Sequence, residues 1–324
     1  MSGPRLPPPV ARLTARPLSR YVLSPALPWD VQRRRLDRFL GSSPLPRGTT
    51  IEPVTLNGVP AEVVTTPQAR PGVTILHFHG GGYCVGSPRI VRAWAARLSR
   101  GARCRVVLAA YRLAPEHPHP AALDDARAVA AALLPGTLLP DALLPNALLP
   151  NSVPAPVVVS GDSAGGGLAL ALLLARRDAG QALPAGAMLA APWLDLTADR
   201  RSQPALVRRD TVLSPAWLDA CAAAYAGPAD RASPAISPLL ADLPGLPPLL
   251  IQAGSDDLLA PDAARLAAAA SAAGVDVTCT RWPGLGHDFV LQPGVLAAAD
   301  SALAQAAWFV ARVTAGMAVS YGGP

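Results

Sequence analysis

Gly161-Asp162-Ser163-Ala164-Gly165 spells G-x-S-x-G between an apolar run at 157–160 and a helical one at 166–177. Between a strand and a helix, this pattern is a tight turn that lifts the serine hydroxyl clear of a sheet as a nucleophile. The turn needs small flanks, supplied by Gly161 and Gly165, and it brings the first amides of the helix toward the hydroxyl. A second group is His79-Gly80-Gly81-Gly82-Tyr83, at the end of another apolar run. Its three glycines let backbone N–H groups turn inward, so an oxyanion formed by attack of Ser163 would meet those amides together with that of Ala164. A serine nucleophile needs a base, and the base needs an orienting carboxylate. Of the five histidines (77, 79, 117, 119 and 287), His287 lies in the Gly-rich stretch Pro283-Gly284-Leu285-Gly286-His287-Asp288-Phe289, after the last candidate strand. Gly254-Ser255-Asp256-Asp257-Leu258 follows another strand; Asp256 is the first choice for the carboxylate and Asp257 the reserve. The chain order Ser163, Asp256, His287 differs from the orders found in chymotrypsin and subtilisin.

Other chemistries fit the same residues less well. A phosphate-cradling loop would want G-K-[ST], and the chain has no Lys. His77-x-His79 and His117-x-His119 are two HxH pairs, but a zinc site needs a third ligand and an open position. Each aspartate could instead cap the helix after Pro261, and His287 could be an ordinary loop residue. Three matches in order at three strand ends favour the catalytic reading. A non-catalytic ligand receptor is expected to lack one of the three.

The elements that must position these groups follow an α/β rhythm. Candidate strands are 50–56, 61–65, 73–79, 105–111, 157–161, 187–191, 249–253 and 275–281. Candidate helices are 90–100, 121–133, 164–179, 215–226, 261–273 and 295–313. Strands alternating with helices of this length imply a parallel sheet covered on both faces. Val157-Val158-Val159 and Leu249-Leu250-Ile251 are continuous apolar runs, as doubly covered strands should be. Residues 49–315 form the expected catalytic domain, and 316–324 a tail. The segment 195–246 and the arm 1–48, with a short helix at 29–40, are long enough to build a lid. Residues 133–152 read LLPGT-LLPDA-LLPNA-LLPNS, a period of five that fits neither helix nor strand. The expectation there is an inserted surface loop, with a partner-binding Pro-rich segment as the alternative.

Composition narrows the class. The chain has 324 residues, 51% hydrophobic and 15% charged, which excludes intrinsic disorder. The strongest apolar run stops at Arg176-Arg177, too short to span a membrane. All 28 basic residues are Arg, and nine of them stand in residues 1–48 against Asp30 and Asp37. The other 19 face 20 acidic residues, so the body lacks the basic stripe of a nucleic-acid-binding domain. The arm reads as an Arg-rich solvated tail rather than a lipid or nucleic-acid contact. It carries no apolar stretch of secretion-signal length, and the four cysteines show no CxxC pairing, so the expectation is a cytoplasmic protein with reduced thiols.

Together, HGGG, the run Tyr111-Arg112-Leu113-Ala114-Pro115-Glu116-His117-Pro118, GDSAGG at 161–166 and the C-terminal GxGH segment resemble the bacterial hormone-sensitive-lipase-like esterases. The resemblance spans about residues 20–315. It implies an α/β-hydrolase fold: a mostly parallel eight-stranded sheet, helices on both faces and a mostly N-terminal helical cap. It also implies a small-molecule ester substrate, commonly short, with no cofactor and no metal. A homodimer stays an open option, as does an amide or acetylated metabolite in place of the ester. Ser163 is implied as nucleophile, His287 as base and Asp256 as its partner, with Gly81, Gly82 and Ala164 as the oxyanion hole. Glu116 and His117 are implied to tie the Tyr111 loop beneath the site. The 133–152 repeat and the arm before residue 20 depart from the family pattern.

Overall fold

The computed structural model describes residues 16–17, 19–70, 72–134 and 156–315. Nearly all of the LLPxx repeat, the arm before residue 16 and the tail 316–324 lie outside them. Eight strands form one sheet: β1 (Thr50–Leu56), β2 (Val59–Thr65), β3 (Thr74–Phe78), β4 (Arg105–Ala109), β5 (Val157–Asp162), β6 (Gly186–Ala190), β7 (Leu249–Gly254) and β8 (Val277–Trp282). Their order is β1-β2-β4-β3-β5-β6-β7-β8. Only β2 runs antiparallel to its neighbours β1 and β4; the pairs from β4 through to β8 are parallel. Every residue of β3, β4, β5 and β7 is buried, as apolar strands covered on both faces must be.

The α-helices are α1 (Trp29–Leu40), α2 (Pro88–Ala102), α3 (Ala121–Leu133), α4 (Ala164–Asp178), α5 (Pro204–Arg209), α6 (Pro215–Ala226), α7 (Ala260–Ala272) and α8 (Ala297–Thr314). All eight expected strands and all six expected helices are present, as is the short helix at 29–40; the strand at 50–56 and the helices at 29–40, 121–133 and 215–226 have the expected bounds, and the others have shifted ends. The expectation missed α5, a six-residue turn of helix with no buried residue and so no apolar periodicity to betray it.

The arm differs from the solvated tail expected of it. From residue 19 its described part packs on the body: Val22 and Leu36 are buried, and Gln32 is fully so. Arg33 anchors α1 by donating to the carbonyls of Cys84 and Ala114 and to the Glu116 carboxylate. Gln32 accepts a hydrogen bond from the Trp217 indole of α6 at 2.8 Å. The arginines that looked like surplus surface charge are in part the fasteners of a cap. Among the described residues, no helix is long and apolar enough to cross a membrane. Cys84, Cys104 and Cys221 are buried and Cys279 exposed, all as free thiols.

Candidate active site

Strand β5 ends in the serine turn. Ser163 has φ 51° and ψ −120°, a strained conformation for a side-chain-bearing residue. The surrounding backbone holds it there: its amide donates to Ala190 O at 2.9 Å, and its carbonyl accepts from Gly166 and Trp193. A Cβ on Gly165 would lie 1.9 Å from the Phe78 carbonyl, so only glycine lets α4 start this close to β3. The start of α4 therefore faces the loop that leaves β3.

That loop is HGGG. Gly81 and Gly82 have φ of +119° and +61°, which turn successive amides in a way residues with side chains rarely can. Asp162, the residue before the serine, joins loop to turn. Its fully buried carboxylate accepts from the Gly80 amide at 2.9 Å and lies 3.0 Å from His77 Nε2. Below, the Tyr111 hydroxyl donates to His79 O at 2.7 Å, and the two rings stack at 4.5 Å. The sequence reading missed Asp162; its only signal was an acidic residue where a buried turn has no need of one. The same contacts commit His77 and His79 to separate partners. Burial pulls the His79 imidazole down to about 4. Glu116 braces α1 through Arg33, alongside its place in the Tyr111 loop.

His287 arrives from the loop after β8, which is fixed twice. Leu285, Phe289 and Val290 form a small core with Leu296, Ala299 and Ala302 of the α8 region. The loops after β7 and β8 are also zipped together, Ser255 N to Trp282 O at 2.8 Å and Asp256 N to Leu285 O at 2.9 Å. The imidazole then lies with Nε2 2.9 Å from Ser163 Oγ and Nδ1 3.0 Å from Asp257 Oδ2.

The carboxylate on His287 is thus Asp257, and the expectation of Asp256 is corrected. Because the Asp256 amide is held by Leu285 O, its side chain turns toward Ser255 Oγ at 3.3 Å and the Arg209 guanidinium at 4.0 Å. The next residue points the other way: Asp257 is fully buried, with Oδ1 accepting from the Leu259 amide at 2.7 Å. Asp210, just past α5, adds a further buried carboxylate, accepting from the Val212, Leu213 and Leu258 amides. Burial pushes it up to about 6, and the neighbouring Asp257 charge adds to the rise.

Above Ser163 lies a cavity of about 190 Å³. Its walls are mainly apolar and come from the arm and α1 (Val22, Leu36, Leu40) and from Leu213, Trp217 and Leu291. The arrangement can bind an apolar chain, present a carbonyl to Ser163 beside the glycine loop, and move a proton from Ser163 to His287 while the Asp257 carboxylate steadies the imidazole.

Comparison with known proteins agrees with this architecture. A family model described as alpha/beta hydrolase fold matches residues 75–291. The chain is 39% identical over 253 residues to an acetyl-hydrolase of Streptomyces hygroscopicus, covering 78% of this chain and 79% of that protein. An esterase of Acinetobacter venetianus is 33% identical over 299 residues, covering 92% of each. The crystal structure of an esterase from the bacterial hormone-sensitive lipase family superposes with a TM-score of 0.83 at 33% identity, over 96% of this chain and 99% of that one. The chain belongs to the alpha/beta hydrolase fold family, as one of its hormone-sensitive-lipase-like esterases.

Proposed function

We propose that the protein hydrolyses carboxylic esters of short-to-medium acyl chains, with Ser163 as nucleophile, His287 as base and Asp257 as the carboxylate that orients it. The observation that carries this reading is the continuous path Ser163 Oγ–His287 Nε2, 2.9 Å, and His287 Nδ1–Asp257 Oδ2, 3.0 Å, at the floor of an apolar cavity. Nε2 takes the Ser163 proton as Oγ attacks the ester carbonyl. The imidazolium is stabilised by Asp257, which also fixes the Nδ1–H tautomer. The oxyanion is received by the amides of Gly81, Gly82 and Ala164. His287 returns its proton to the leaving alcohol, and water repeats the sequence on the acyl-enzyme. The acetyl group in the name of the Streptomyces hygroscopicus acetyl-hydrolase is the short end of this range.

A fluorophosphonate probe and a series of p-nitrophenyl esters test the reading. Labelling should fall on Ser163, and kcat/KM should rise with acyl length by up to about fourfold per methylene while the cavity has room, following about 0.8 kcal/mol per buried CH2. A protein that stays unlabelled would be a ligand receptor on the same fold. A profile flat in chain length would remove the apolar cavity from the account.

A further inference from the structure

Asp288, the residue after His287, enters the site from a left-handed backbone conformation, φ 52°, at the start of the short turn of helix Phe289–Leu291. Its Oδ2 lies 3.1 Å from His287 Nε2, the same nitrogen that faces Ser163 Oγ. Its Oδ1 is buried with no hydrogen-bond partner among the described residues. The side chain keeps 20% of its surface exposed and forms part of the cavity wall.

Lone-pair counting constrains this contact. With Nδ1–H donated to Asp257, a neutral His287 presents a lone pair at Nε2, and an ionised carboxylate presents only lone pairs. The two are held at 3.1 Å only by a proton between them, on the imidazolium or on the carboxylic acid. In either form Nε2 cannot accept the Ser163 proton.

We propose that Asp288 is a positioning residue that keeps the resting His287–Asp288 pair one proton richer than the working enzyme, so that loss of this shared proton sets the acid limb of kcat/KM. The proposal rests on the esterase reading of Ser163 and His287. Before acylation the shared proton leaves to solvent along the exposed edge of Asp288. The carboxylate then turns from the uncharged Nε2, whose lone pair takes the Ser163 proton as the Oγ–acyl bond forms.

The surroundings favour the extra proton. Carboxylates face the pair from three other elements: Asp162 from the end of β5, Asp257 from the loop after β7, and Asp210 from the segment after α5. Burial pushes the Asp288 carboxyl up to about 7; the His287 charge pulls it back, and the charges of Asp162 and Asp257 add to the rise. For His287, burial works downward, but Asp257 and Asp288 outweigh it and hold the imidazole well above its usual range. The two groups titrate as a pair.

The test is the pH profile of kcat/KM for a p-nitrophenyl ester with the full-length protein and its Asp288→Asn and Asp288→Ala variants. Each variant should move the acid limb to lower pH by about one unit or more, the effect of deleting a carboxylate in contact with an imidazole. A carboxylate that only capped the turn would leave the limb where it is, and coincidence of all three limbs overturns the proposal. Fluorophosphonate labelling of Ser163 at alkaline pH identifies variants that fold. Should neither fold, the Ser163→Ala variant, which lacks the serine hydroxyl as a competing donor, decides through the 15N shift of His287 Nε2. A protonated or hydrogen-bonded signal at neutral pH supports the pair, and a bare lone-pair signal overturns it. Failure of the wild type to label at any pH overturns the esterase reading as well; labelling with an unmoved limb overturns the Asp288 proposal alone.

Discussion

Asp256 and Asp257 are adjacent and chemically identical, yet one turn of the chain separates their roles. Asp257 is fully buried and faces His287 Nδ1, whereas Asp256, also buried, faces Ser255 and the exposed Arg209. An amide at position 257 can present its N–H₂ to Nδ1 and so favour the wrong tautomer of His287. Asp257→Asn should therefore lower kcat by about 10²- to 10⁴-fold, in line with the loss when a triad carboxylate becomes an amide. Asp256→Asn should leave kcat within a few-fold, since no step in the proton path passes through it. Ser163→Ala should cost at least about 10³-fold and abolish probe labelling. Steady-state kinetics of the three variants on one p-nitrophenyl ester rank them; an Asp256 variant as damaged as the Asp257 variant would return the role to Asp256.

Among the elements, α1 is legible in the sequence as a helix at 29–40, but the work it does is not. Its hold on the body runs through Arg33, whose guanidinium meets Cys84 O at 2.8 Å, Ala114 O at 2.8 Å and Glu116. On the same face, one and two turns further on, Leu36 and Leu40 wall the cavity above Ser163. Arg33→Ala removes charged hydrogen bonds of about 1.5–3 kcal/mol each, partly offset because this side chain is 26% exposed. The cap should loosen, lowering kcat/KM for a longer acyl ester by about tenfold, the equivalent of 1.4 kcal/mol, and for the acetate by less. An equal loss on both esters would place the effect in the chemistry rather than the wall. The contrast with the sheet shows what a sequence makes legible. Apolar runs such as Val157-Val158-Val159 mark buried strands directly, and the turns at Ser163 and Gly81 follow from local glycine spacing. Arg33 and Gln32 acquire their roles only from partners distant in the chain, Glu116 and Trp217, which no local periodicity encodes. The choice between Asp256 and Asp257 was hidden for the same reason: it is set by the Asp256 N–Leu285 O bond between two separate loops.

At the scale of the whole molecule, the apolar excess is absorbed by a nearly continuous core from β1 to β8, and charges placed inside that core must be matched. The buried pair Arg200–Asp262 is the clearest case, with side chains 3% and 1% exposed. Asp262, in α7, accepts from both ends of the Arg200 fork at 2.8 Å and from the amides of Leu194 and Asp195 at 3.0 and 3.2 Å. It thereby fastens the segment after β6 to the helix after β7. Trp193 of that segment donates its amide to the Ser163 carbonyl, so the lock reaches the back of the serine turn. Asp262→Ala strands a buried guanidinium and two amides, and should destabilise the protein by about 3–5 kcal/mol. Arg127→Ala makes the control: its pair with Asp124 is 3.3 Å long and both side chains are 50% exposed, where such pairs contribute about 0–1 kcal/mol. Thermal unfolding should give a much lower Tm for the Asp262 variant and a small change for the Arg127 variant. Equal shifts would mean that burial does not decide what these charges contribute, and that the segment after β6 is held by its apolar contacts instead.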